Sequence, residues 1–231
     1  MAVVPFLAMT AAEFCGSSFL PAKIGWMACH FSPYSAGLSN LPRSLPEGSL
    51  LIVNDLTPIH GHDPEFVIKQ LMDCAESFRC SGVLLDFQRE CSDEALQMAA
   101  EIVNALPCPV GVSEIYADSL SCPVFLPPLP HHIPLADWLK PWQDREVWLE
   151  AALDAEEILL TENDPSILPL SCPIGDEGFV DTVLHCHYRS EVFDHYAKFT
   201  LWRTRDDIAS LLEEAESMNI HTAVGLWQEF L

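Results

Sequence analysis

Basic residues are scarce in this chain. It has 11 lysines and arginines against 34 aspartates and glutamates, which gives a formal net charge of −23 at pH 7. A surface of this sign repels phosphate backbones and anionic lipid headgroups, so we expect neither nucleic acid nor a membrane as a partner. The same charge suits a neutral or cationic ligand.

Several motifs and segments are also lacking. There is no GxGxxG, P-loop or GxSxG motif, so dinucleotide, nucleotide and serine-hydrolase sites have no sequence signal. No apolar run approaches the ~20 residues that a transmembrane helix needs. No basic residue precedes Lys23, as a signal peptide would require. The nine cysteines are odd in number and include no CxxC pair, which favours reduced thiols in a cytoplasmic protein.

Short apolar segments alternate with helical patterns along the chain. Strand-like runs lie at 3–8, 23–31, 49–55, 82–87, 108–117, 122–129 and 221–230, and helical patterns at 64–80, 92–106 and 204–218. This alternation is typical of parallel strands that are covered on both faces by helices. We predict an α/β fold, a single compact (β/α)8 TIM-type barrel over residues 1–231. An open doubly wound sheet is the alternative.

The region between 146 and 204 departs from this alternation. Residues 146–153 and 156–163 are both apolar and predict one strand and its return. Prolines then predict an irregular loop, at positions Pro165, Pro169 and Pro173. The segments 182–190 and 195–204 predict a hairpin.

Two stretches resemble one enzyme family. Residues 81–88, SGVLLDFQ, are similar to the fourth-strand signature of family 18 glycoside hydrolases, DGxDxDxE. Residues 201–230 resemble that family's final helix and strand, in which a strand of small residues ends in a tryptophan that floors the sugar site, here Trp227. The resemblance is loose over residues 50–230 and specific only in these two stretches. It implies a chitinase-like TIM barrel with a carbohydrate ligand.

The signature is incomplete. Ser81 and Leu84 stand at the first two aspartate positions, and Asp86 matches the third, which in the family orients the N-acetyl group of the substrate. Gln88 replaces the glutamic acid that protonates the leaving oxygen. Glutamine cannot supply that proton, and loss of a general acid removes about 10²–10⁴-fold of rate. We therefore interpret the chain as a family-18-like barrel without its catalytic acid, a non-catalytic glycan-binding protein that needs no cofactor.

The interpretation assigns ligand contacts at the barrel rim. Asp86 and Gln88 hydrogen-bond the ligand, Trp227 forms the stacking floor, and Tyr116 is a rim contact. In a barrel, the strand ends also bring Asp55, Asp86, Glu114 and Trp227 to one rim. No metal is part of this interpretation.

Other functions stay open at this point. The rim offers further carboxylates, at Asp55, Glu114, Glu150 and Glu229. Glycosidases need two carboxyl groups across the bond, and Glu114 could serve as the acid of an active enzyme. Two HxH pairs suit a metal-dependent hydrolase instead, with His60, His62, His185 and His187 as ligands. A barrel that acts only through assembly with another protein is the remaining alternative.

Overall fold

The computed structural model of the chain describes residues 3–161, 165–170 and 177–231. In chain order the strands are β1 (Phe6–Met9), β2 (Ile24–Phe31), β3 (Leu38–Ser39), β4 (Leu50–Asn54), β5 (Gly82–Asp86), β6 (Val110–Ser113), β7 (Val124–Leu126), β8 (Val147–Ala151), β9 (Ala155–Thr161), β10 (Ser166–Leu170), β11 (Phe179–Asp181), β12 (Cys186–Val192), β13 (Tyr196–Trp202) and β14 (Thr222–Leu226). The α-helices are α1 (Ala11–Gly16), α2 (Pro64–Phe78), α3 (Asp93–Ala105), α4 (Glu114–Ala117), α5 (Leu135–Trp138) and α6 (Arg205–Ser217), and 3-10 turns cover Lys140–Trp142 and Trp227–Glu229. Within the described residues, no helix is long and apolar enough to cross a membrane.

Eight parallel strands form a closed barrel. Their order is β1-β2-β4-β5-β6-β7-β8-β14, and β14 pairs with β1 to complete the ring. The predicted (β/α)8 barrel is confirmed. The open doubly wound sheet is wrong, because an open sheet leaves its first and last strands unpaired with each other. β5 is the fourth barrel strand and β14 the eighth, which are the places that the sequence resemblance assigns to them.

The predicted helix starts are confirmed by their caps. The side chain of Asp63 accepts a hydrogen bond from a first-turn backbone N–H of α2, and Ser92 does the same for α3. Thr204 and Asp207 form a capping box at the start of α6. Each cap satisfies a backbone N–H that the first helical turn leaves without a partner. The apolar stripes of α2, α3 and α6 are buried, so these helices cover the outside of the barrel.

Strands β9 to β13 form a second, antiparallel sheet that lies in the chain between β8 and α6. Its order is β10-β9-β13-β12-β11. The predicted hairpin is confirmed, since β12 pairs antiparallel with β13. The predicted return of residues 146–153 onto 156–163 is wrong. β8 lies in the barrel between β7 and β14, whereas β9 pairs with β10 and β13. Residues 162–163 of that prediction lie outside the described residues.

A strand forms where the prolines predict a loop. β10 contains Pro169, which is in register with Glu156 of β9. Proline has no N–H to donate, but β10 is the outermost strand of its sheet, where proline is tolerated. Pro165 directly precedes this strand, and Pro173 lies outside the described residues.

An apolar layer fills the barrel interior and includes Leu84, Phe125 and Trp148. The indole of Trp148 occupies the space beside β6 where Gly111 has no side chain. A Cβ atom at position 111 would lie 2.5 Å from Cε3 of that indole. The indole is also held by a hydrogen bond of 3.0 Å from its Nε1 to Oε1 of Glu146. Gly111 therefore provides the room that Trp148 occupies.

We expect Gly111→Ala to lower the free energy of unfolding by about 2 kcal/mol, because an added methyl group overpacks a filled interior. Urea unfolding monitored by circular dichroism measures this loss. Gly16→Ala is the matched control, since no atom lies within 4 Å of a Cβ at that position. An unchanged midpoint for Gly111→Ala would show that Trp148 can move aside freely.

Candidate functional site

Parallel barrel strands end at one rim, and the predicted rim residues lie there. Asp86 ends β5, Glu114 follows β6, and Trp227 follows β14. Asp55 directly follows β4 and is buried. The carboxyl rim is where barrels of this type carry their active sites.

A cavity of about 400 Å³ opens at this rim. Its size lies within the ~300–1,000 Å³ range of small-molecule sites. The lining combines three carboxyl groups and one amide with apolar and aromatic side chains, namely Asp86, Phe87, Gln88, Ser113, Glu114, Ile115, Phe125, Pro127, Pro128 and Glu150. The cavity thus brings together four of the residues predicted at the rim, Asp86, Gln88, Glu114 and Glu150.

Asp86 and Gln88 contact each other at the edge of the cavity. The side-chain amide of Gln88 donates a hydrogen bond of 3.1 Å to Oδ1 of Asp86. Asp55 fixes the backbone beneath them, since its carboxylate accepts hydrogen bonds from the N–H groups of Gln88 (3.0 Å) and Arg89 (2.9 Å). The guanidinium of Arg89 donates in return to the carbonyl oxygens of Asp55 and Leu56. The segment after β5 is therefore held in place before any ligand binds.

Glu150 and Asp86 extend from the same apolar layer. Side chains two residues apart on a strand share a face, and Glu150 and Asp86 follow the interior residues Trp148 and Leu84 at that spacing. Burial, together with the charges of Asp86, Glu229 and Asp154, raises the pKa of Glu150 to about 7. Burial also raises the pKa of Asp86, against the opposing effect of the hydrogen bond from Gln88. At neutral pH this cavity therefore holds a carboxyl group that is partly protonated.

Tyr116 lies in the core and does not line the cavity. The prediction of a strand through residue 117 is wrong, because β6 ends at Ser113 and the chain turns into α4. That turn directs Tyr116 inward, where it is 1% exposed. Its ring packs edge-to-face with that of Phe87, and the two ring centroids are 5.7 Å apart. Burial raises the pKa of its phenol to about 12.

Trp227 also lies outside the cavity lining. It begins the 3-10 turn after β14, is 8% exposed, and packs against Met9 and Ile24. Glu229, in the same turn, accepts a hydrogen bond of 2.9 Å from the backbone N–H of Leu153. Both residues are predicted at the rim, where Trp227 packs in an apolar cluster and Glu229 holds the backbone after β8.

The structure does not bring the two histidine pairs together. His60 and His62 lie in the loop between β4 and α2, where His60 pairs with Glu94 at 2.8 Å and His62 contacts backbone carbonyl oxygens. His185 directly precedes β12 and His187 lies in it. They contact side chains of α6, which are Ser210, Glu214 and Asp207. Across residues 3–161, 165–170 and 177–231, no group of three or more histidine, cysteine or acidic side chains is arranged to hold a metal ion.

Solved structures share this closed (β/α)8 barrel, among them a family 18 chitinase and a chitinase-like agglutinin. The chitinase-like agglutinin from Robinia pseudoacacia superposes with a TM-score of 0.59 at 12% identity, over 95% of this chain and 93% of that one. A family 18 chitinase from Cycas revoluta, solved in complex with (GlcNAc)3, superposes with a TM-score of 0.58 at 11% identity, over 98% and 94%. The spore cortex-lytic enzyme SleL from Bacillus cereus superposes with a TM-score of 0.57 at 9% identity, over 96% of this chain and 70% of that one.

These likenesses concern the fold alone, because the identities are low. No family model matches the sequence, and neither does any curated protein.

Proposed function

We propose that this chain binds N-acetylated oligosaccharides of the chitin or peptidoglycan type in the cavity at the end of β5, and that it does not hydrolyse them. The observation that carries the proposal is the Asp86–Gln88 pair. The amide of Gln88 is hydrogen-bonded to the neighbouring carboxylate, and the resemblance of residues 81–88 to the family 18 signature puts this amide at the position of the catalytic acid. Glutamine has no proton to transfer to a leaving oxygen.

The chemistry of the cavity suits a sugar amide. Asp86 can accept hydrogen bonds from sugar hydroxyl or amide N–H groups, and the Gln88 amide can both donate and accept. Phe125, Ile115 and Pro127 supply apolar wall on which the apolar faces of a pyranose can pack. Among the described residues that line the cavity there is no lysine, arginine or histidine, which disfavours phosphorylated sugars.

Three similar structures support a carbohydrate ligand. The Cycas revoluta chitinase was solved with (GlcNAc)3, and a variant of it with a glutamate-to-glutamine substitution was solved with (GlcNAc)4. The Robinia pseudoacacia protein is a chitinase-like agglutinin. A barrel of this fold that carries glutamine for glutamate can thus hold an oligosaccharide.

Isothermal titration with (GlcNAc)4 and with peptidoglycan fragments tests the proposal. We expect Asp86→Ala to weaken binding by about 10-fold or more, since a hydrogen bond to a charged group contributes about 1.5–3 kcal/mol. Asp73→Ala, an exposed carboxylate on α2, is the control and should bind as the wild type does.

A reducing-end assay on the same oligosaccharides tests the absence of hydrolysis, and we expect no product. Wild-type cleavage that Glu114→Gln abolishes would contradict the proposal. It would favour an active glycosidase with Glu114 as the acid, because Glu114 lines the same cavity. Absence of binding to every oligosaccharide would also contradict the proposal.

A further inference from the structure

We propose that Glu150 is the specificity-determining residue of this cavity and that it acts as a pair with Asp86. Glu150 carries the proton and donates a hydrogen bond to the acyl oxygen of the ligand's amide, while Asp86 keeps the role that the family resemblance implies for it and accepts one from the amide N–H. This inference rests on the proposed function and names the group of the ligand that the site reads.

The strands place the two carboxyl groups over the same part of the interior. Glu150 is on β8 and Asp86 on β5, with only β6 and β7 between these strands in the barrel. Both residues line the cavity, and both stand two positions beyond a member of the buried interior layer. Their carboxyl groups therefore emerge from the apolar layer into one space.

The donor and acceptor atoms that the pair can offer to a ligand are complementary to an amide. Oδ1 of Asp86 accepts from Gln88, which leaves Oδ2 as an acceptor for a ligand N–H. In the described part of the chain, no group hydrogen-bonds to the carboxyl of Glu150. A protonated carboxyl is a donor, whereas an ionised one is an acceptor only. Two ionised carboxylates would meet the acyl oxygen of an amide with repulsion.

The groups around Glu150 favour the protonated form. Three negative charges act on it, those of Asp86 on β5, Glu229 in the turn after β14 and Asp154 in the segment after β8. Asp154 itself is paired with Arg203 (3.6 Å) and His131 (3.3 Å). On the remaining side, the cavity wall adds the carboxyl of Glu114 and the neutral amide of Gln88.

Isothermal titration of the protein with (GlcNAc)4, at about pH 6 and at about pH 8.5, tests the inference. The protonated fraction of Glu150 falls about tenfold per pH unit above its pKa, so we expect wild-type binding to weaken by about 30-fold between these two conditions. Glu150→Gln keeps an N–H donor at either pH and should bind almost equally at both. Glu114→Gln alters another carboxyl of the same cavity and should retain the pH dependence.

Two further measurements separate the outcomes. Infrared difference spectra of the ligand-free protein should show the C=O stretch of a protonated carboxyl at about pH 6 that Glu150→Gln abolishes.

Stronger binding of the de-N-acetylated tetrasaccharide than of (GlcNAc)4 would overturn amide recognition. Wild-type binding that is present but independent of pH would overturn the role of Glu150 and leave the proposed function intact. Absence of binding in the wild type and in Glu150→Gln, at both pH values, would overturn both.

Discussion

Glu150→Gln should stabilise the protein at about pH 8.5 by up to about 3 kcal/mol and have little effect at about pH 4. Burial raises the pKa of Glu150 from its ordinary 4.5 to about 7 in the folded chain. The folded state therefore holds this proton more tightly than the unfolded state does. Wild-type stability falls as pH rises through the interval between these two values, and above it the folded protein carries a buried charge. Glutamine has the shape of the protonated acid and removes that cost.

Urea unfolding at the two pH values measures this effect. In a chain of this length, about 3 kcal/mol corresponds to an increase of roughly 6–12 °C in the midpoint of thermal unfolding. Glu76→Gln, an exposed carboxylate on α2, is the control and should give no gain that depends on pH. An equal change at both pH values, or a loss at high pH, would show that Glu150 is ionised without cost in the folded protein.

Arg203→Ala should destabilise the protein by about 3–5 kcal/mol, because it leaves buried acceptors without a donor. Arg203 is 3% exposed, and its guanidinium donates to the carbonyl oxygens of Leu129 (2.5 Å), His185 (3.2 Å) and Leu184 (3.5 Å). Leu129 belongs to the segment after β7, and the other two residues precede β12. The side chain therefore joins the barrel to the second sheet.

Chemical denaturation of Arg203→Ala measures the loss, and proteolysis should cut the second sheet first. Arg43→Ala is the control, since that side chain is exposed. A loss below about 1 kcal/mol would show that water replaces the guanidinium at the three carbonyl groups.

The barrel could be predicted from the sequence because its strands are buried on both faces. Strands such as β4 and β5 are continuous apolar runs, and cap residues such as Asp63 and Ser92 mark the helix starts. The second sheet was harder to predict. Apolar character does not tell which sheet a strand joins, so the sequence alone wrongly predicts that β9 returns along β8. Pro169 indicated a loop, although an edge strand such as β10 does not need its N–H.

The candidate site could be predicted only in part. The signature around β5 led to Asp86 and Gln88, which do line the cavity. In the sequence Glu150 is one strand-end carboxylate among several, because its burial is a result of tertiary packing. Tyr116 was placed at the rim because the chain's turn into α4 leaves no clear mark in the sequence. The end of a predicted strand indicates that a side chain lies at the rim. Whether that side chain is exposed there depends on tertiary packing.

The closure of the barrel between β1 and β14 sets an order on folding. Phe6 is in register with Val224, so the ring joins residues from opposite ends of the described chain. Such a contact carries a high loop-closure entropy and forms late. The antiparallel second sheet uses consecutive segments and can form before β14 emerges from the ribosome. Until β14 is in place, β1 and β8 each present an open edge that can pair with another chain. Aggregation during synthesis is therefore the expected cost of this topology, and a chaperone that covers those two edges would act in that interval.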